Sequence, residues 1–162
     1  SLSGIVDELR GALDWFAGHR REHGFEGPLI LSGWSAGGHL AAMLLDHPSV
    51  SAALAISGIY ELGPLRDTYI NEKLKLTDQE IASLSPMRLA LTGKPMAIAY
   101  GTAELPALVE NSRRFHRKRA GADAPGSLIP VPGADHFTIL EELRRPNGVL
   151  AKAAIRLCED LE

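Results

Sequence analysis

Leu2, Ile5, Val6, Leu9, Leu13 and Phe16 recur at helical spacing, and Gly24 is a plausible stop. After Pro28 the pattern changes. Leu29, Ile30 and Leu31 form a short apolar run bounded by Gly33, which reads as a buried strand. Ala36 to Asp46 is small and apolar, as for a helix lying close on a sheet. Ala52 to Ile56 predicts a second strand and Met96 to Tyr100 a third. Ser127 to Val131 predicts a fourth. Between them lie a T-x-x-E capping box at Thr77 to Glu80 and a helix over Ala107 to Ala120. That helix faces inward through Leu108, Ser112 and Phe115, and Gly121 closes it. A short helix over Phe137 to Arg144 and a final helix capped by Asn147 complete the chain. That last helix carries Val149, Leu150, Ala153, Leu157 and Leu161 on one face.

Apolar strands alternating with helices predict an α/β fold, with a mostly parallel sheet covered by helices on both faces. No repeat, low-complexity tract or linker interrupts the 162 residues, so the expectation is one domain over 1–162.

Composition removes several functions. With 17 Lys+Arg against 20 Asp+Glu, the net charge of -3 leaves no basic footprint for nucleic acid. No apolar stretch approaches the roughly 20 residues that a membrane-spanning helix needs. One cysteine, Cys158, excludes an intrachain disulfide and argues against a thiolate metal cluster, which fits a reducing, cytoplasmic setting. The chain opens at Ser1, with no Met and no signal-peptide pattern, and reads as one whose beginning lies elsewhere. The pattern does not indicate an oligomeric state.

Gly33-Trp34-Ser35-Ala36-Gly37 is a G-x-S-x-G sequence between a strand and a small-residue helix. A nucleophile elbow requires that placement, because the sharp turn lifts the serine hydroxyl above the sheet edge. Gly33 and Gly37 are expected to let strand and helix approach without Cβ clashes. The Ala36 N–H, at the helix start, can donate to a developing oxyanion.

Serine needs a base, and the base needs an orienting acid. His136, in the loop after the fourth strand, is the candidate base. His19, His23, His39, His47 and His116 read as surface or packing residues. Glu104 is the only carboxylate in the loop after the third strand and is the candidate acid. Asp135 is a rival, although a neighbour of His136 in sequence usually points away from its ring. Glu61 and Asp67 are weaker rivals. Trp34 and Phe137 flank these positions and are candidates for lining an apolar substrate pocket; core packing is the competing role.

The segments Ser32 to Met43, Ser57-Gly58-Ile59-Tyr60-Glu61-Leu62, Leu84-Ser85-Pro86, Ala134-Asp135-His136-Phe137 and Leu140-Glu141-Glu142-Leu143 occur in that order. Together they resemble the C-terminal part of an α/β-hydrolase, and more closely the kynurenine formamidase (arylformamidase) and small-esterase branch. The resemblance implies Ser35 as nucleophile, His136 as base and Glu104 at the acid position, where the family usually has Asp. It also implies a His-Gly-Gly oxyanion segment, which is absent from the 34 residues before Ser35. The expectation is that the first strands and the second oxyanion donor lie upstream of this chain.

The function expected is acyl transfer to water through a covalent acyl-enzyme, with no metal or organic cofactor. The substrate is a small-molecule ester, thioester or aryl formamide such as N-formylkynurenine. A non-catalytic binding scaffold of the same fold is the alternative. A flavodoxin-like binder would explain the alternation but not the ordered Ser, Glu and His.

Overall fold

A computed structural model describes residues 1–161. Four strands form one sheet in the order β1-β2-β3-β4, every pair parallel. They are β1 (Ile30–Trp34), β2 (Ala52–Ile56), β3 (Met96–Gly101) and β4 (Leu128–Val131). Among the described residues, seven α-helices accompany them: α1 (Leu2–His19), α2 (Ala36–Met43), α3 (Asn71–Leu74), α4 (Asp78–Leu84), α5 (Pro106–Ala120), α6 (Glu141–Arg144) and α7 (Val149–Glu159).

The sheet is covered on both faces. On one, Leu150 and Leu157 of α7 pack on Ala52, Leu54, Ile56, Ala97 and Ala99. On the other, Ala41 of α2, Leu45 just beyond it and Phe115 of α5 pack on Ala53, Ala55, Met96 and Ile98. Alternating residues of β2 and β3 serve opposite layers, so both strands are buried throughout. Helix α1 reaches the second of these layers through the half-buried Leu13. Its Leu2 and Val6 join Met43, Leu44, Ile81 and Leu84 in a third cluster. No helix among the described residues is long and apolar enough to cross a membrane.

Several expectations are corrected. β1 is only half-buried, with Ser32 exposed, and β4 likewise exposes Pro130. Both lie at the ends of the strand order, and an edge strand tolerates the proline that a central one would not. Gly33 lies inside β1 instead of bounding it. Helix α1 stops at His19, and Gly24 ends the following turn at φ +72°. Asn147 does not cap α7; Gly148 does, where a Cβ would lie 2.0 Å from the Glu142 carbonyl oxygen. The first N–H of that helix, on Val149, donates instead to the Glu142 carboxylate at 2.9 Å. Val149 and Ile155 are exposed. The stretch 137–144 is a 3₁₀ turn (Thr138–Leu140) running into α6. The Thr77 capping box is present in full: Glu80 N donates to Thr77 Oγ1, and Thr77 N to Glu80 Oε2.

Candidate active site

Ser35 sits between the last residue of β1 and the first of α2, at φ 56° and ψ −116°. Such backbone is strained for a side chain with a Cβ. Neighbours hold it there: Ser35 N donates to Ile56 O of β2 at 2.9 Å, and Ser35 O accepts from His39 N at 3.1 Å. A Cβ on Gly33 would lie 2.1 Å from Gly37 O, so that position admits only glycine. Gly37 differs from expectation, because a Cβ there would meet nothing within 4 Å. The second close approach belongs to Gly38, whose Cβ would lie 2.9 Å from Gly58 Cα. Ile56 O, at the end of β2, thus meets the elbow twice, at Ser35 N and beside Gly38.

The loops after β3 and β4 are joined. Thr102 N donates to Val131 O at 3.0 Å and Ala103 N to Ala134 O at 2.9 Å. Gly133 N donates to Thr102 Oγ1 at 2.8 Å. The loops approach so closely that a Cβ on Gly101 would lie 2.2 Å from Ala134 O. These contacts bring Glu104 and His136 together. His136 Nδ1 lies 3.3 Å from Glu104 Oε2, and His136 Nε2 lies 3.1 Å from Ser35 Oγ. With Nδ1–H donating to the carboxylate, Nε2 accepts the Ser35 hydroxyl proton; this tautomer follows from the hydrogen-bond network. The Glu104 side chain is fully buried, and that of His136 is 23% exposed.

Two of the rival acids are engaged elsewhere. Asp135 accepts from Thr138 N, Thr138 Oγ1 and Phe137 N at 2.8–2.9 Å. The Thr138 N–H, then its hydroxyl and the Phe137 N–H, hold the Asp135 carboxyl below its ordinary value. Glu61 pairs with Arg88 at 2.7 Å. Burial opposes its ionisation, but Arg88 and Gly63 N–H outweigh that and lower its pKa. Asp67 is exposed. Among the other histidines, His47 lies against Asp14 and Ser49, and His39 is buried with Nδ1 2.9 Å from Ile59 O. Ala36 is the first residue of α2, so its N–H has no partner within the helix. Among the described residues, no cluster of three or more His, Cys, Asp or Glu is arranged to hold a metal ion.

Known proteins resemble this chain in sequence and in fold. The chain is 32% identical over 143 residues to kynurenine formamidase of Danio rerio, covering 80% of this chain and 49% of that protein. It is 32% identical over 130 residues to the Salmo salar kynurenine formamidase, covering 71% of this chain and 44% of that protein. A candidate thioesterase from Silicibacter sp. TM1040 superimposes with a TM-score of 0.77 at 26% identity, over 94% of this chain and 58% of that one. Thermogutta terrifontis esterase 2, phosphoramylated by tabun, gives 0.71 at 25% identity, over 96% of this chain and 62% of that one.

The chain belongs to the α/β-hydrolase superfamily.

It spans about half the length of the curated relatives it matches. No protein-family model matches it.

Three contacts among these residues were not legible in the sequence. Trp34, expected beside a pocket, also donates its indole N–H to His136 O at 2.7 Å, with the two rings 4.9 Å apart. Phe137 is 70% exposed, edge-on to His136 at 5.4 Å between ring centroids. Ser57, at the end of β2, donates its hydroxyl to Glu104 Oε1 at 2.5 Å. The available signal for Ser57 was a serine directly after the all-apolar run Ala52 to Ile56.

Proposed function

We propose that this chain carries the catalytic residues of a serine hydrolase. Its substrates are small acyl esters or thioesters, or an aryl formamide such as N-formylkynurenine. The observation that carries the reading is the sequence of contacts from Ser35 Oγ to His136 Nε2 at 3.1 Å and from His136 Nδ1 to Glu104 at 3.3 Å.

In this reading Ser35 Oγ attacks the carbonyl carbon while His136 Nε2 takes the hydroxyl proton. Glu104 holds the imidazole orientation and stabilises the imidazolium. The tetrahedral oxyanion is met by the Ala36 N–H, beside the positive end of α2. The carbonyl re-forms, and the alcohol, thiol or amine leaves with the proton from His136. Water then attacks the acyl-enzyme by the reverse relay and releases the acid. Trp34 and the exposed Phe137 ring form the apolar surface against which the substrate lies. Structures of the Thermogutta esterase with butyrate and with propionate favour a short acyl group. The identity to kynurenine formamidases favours formyl as the shortest case.

Parallel assays on p-nitrophenyl acetate, p-nitrophenyl butyrate and N-formylkynurenine test the reading, with Ser35→Ala as control. Turnover of at least one substrate that vanishes in Ser35→Ala is expected. Turnover that survives the substitution would exclude Ser35 as nucleophile.

A further inference from the structure

We infer that Ser57 is a positioning residue for catalysis, acting through Glu104; this rests on the reading of Glu104 as the acid of a serine hydrolase. Glutamate has one more rotatable bond than the aspartate usual in this branch, so its carboxylate needs more fixing. The fixing groups are present. Glu104 Oε1 accepts from the Gly101 backbone N–H at 2.7 Å and from the Ser57 hydroxyl at 2.5 Å. With Oε1 doubly occupied, Oε2 is the oxygen left facing His136.

Ser57 is built for this contact. It is fully buried, and its φ of 50° is one that favours glycine. Its N–H donates to Ala99 O of β3 at 2.8 Å, which fixes the strand end beneath the acid loop. A serine in that conformation is strained, and its hydroxyl makes a single short bond, to Glu104. The same bond satisfies a hydroxyl that would otherwise be buried without a partner.

The test is a double-mutant cycle on the full chain with p-nitrophenyl butyrate. Ser57→Ala is expected to lower kcat about tenfold to a hundredfold, the worth of a bond to a charged group, and to leave KM within about twofold. Added to Glu104→Ala, it should change kcat by less than about twofold, because the group it acts through is gone. Ser57→Gly, which relieves the strained φ, should lose the same kcat while melting no lower than Ser57→Ala. An unchanged kcat in Ser57→Ala, or an equal loss in the Glu104→Ala background, overturns the inference. If the wild type turns over no ester and takes no fluorophosphonate, the serine-hydrolase reading itself has failed. Proton NMR still reads the positioning role in that case. The downfield His136 Nδ1–H resonance should be present in the wild type and in Ser35→Ala, and lost in Glu104→Ala and Ser57→Ala. Its absence from the wild type, or its persistence in Ser57→Ala, contradicts the inference.

Discussion

Trp34 donates its indole N–H to the main-chain oxygen of His136 at 2.7 Å, joining positions 102 residues apart. The bond ties the end of β1 to the loop after β4. Ser35 and His136 are thereby held by one contact besides their own. Trp34→Phe keeps a ring against His136 and removes only the donor. It should lower kcat about tenfold and stability by about 1 kcal/mol, the usual worth of one hydrogen bond. Ester hydrolysis and urea unfolding measure the two effects.

The elbow stores strain that substitution can release. At Ser35, φ is 56° and ψ is −116°, and residues in such regions cost about 1–3 kcal/mol. Ser35→Gly should therefore unfold at higher denaturant than Ser35→Ala, by about 1 kcal/mol, although both lose the hydroxyl. Equal midpoints would mean that the turn is unstrained.

Gly101 and Gly37 make a contrasting pair. A Cβ at Gly101 meets Ala134 O at 2.2 Å, whereas one at Gly37 meets nothing. Gly101→Ala should destabilise by about 1–3 kcal/mol, as overpacking does, and separate the Glu104 loop from the His136 loop. Gly37→Ala, inside α2, should stabilise by up to about 1 kcal/mol through helix propensity. Thermal melts of the two variants test both signs.

The buried His39 predicts a pH dependence. Burial, partly offset by the bond to Ile59 O, lowers its pKa below the ordinary 6.5. The unfolded chain therefore binds the proton more readily than the folded one. His39 contributes stability that is fully present above pH 6.5 and is lost as pH falls through its lower folded value. In His39→Gln, the fall in stability below pH 6.5 should be shallower than in the wild type. Denaturant titrations between pH 5 and 8 compare the slopes.

Much of this was legible in the chain. Ser35, Glu104 and His136 each follow an apolar run that became a strand, and parallel strands deliver their following loops to one end of a sheet. Ser57 was not legible as a partner of Glu104. Its contact depends on β2 lying beside β3 and on a positive φ, neither of which local pattern encodes. The close approach expected at Gly37 belongs to Gly38, because the motif spacing does not say which helix face meets the end of β2. Asn147 looked like a cap because asparagine often is one. Close approach by the Glu142 carbonyl at Gly148, and the Glu142 carboxylate itself, displaced it. The half-burial of β1 and β4 follows from strand order, which alternation of apolar runs leaves open.

Activation of Ser35 by His136 can be read on the intact chain. Intact-mass measurement of the chain after exposure to a fluorophosphonate probe tests it most directly. Tabun modifies the Thermogutta esterase, and sarin does the same. One adduct that maps to Ser35 and disappears in Ser35→Ala and His136→Ala is predicted. A chain that stays unlabelled, or an adduct that persists in Ser35→Ala, would contradict the account and favour a binding scaffold of the same fold.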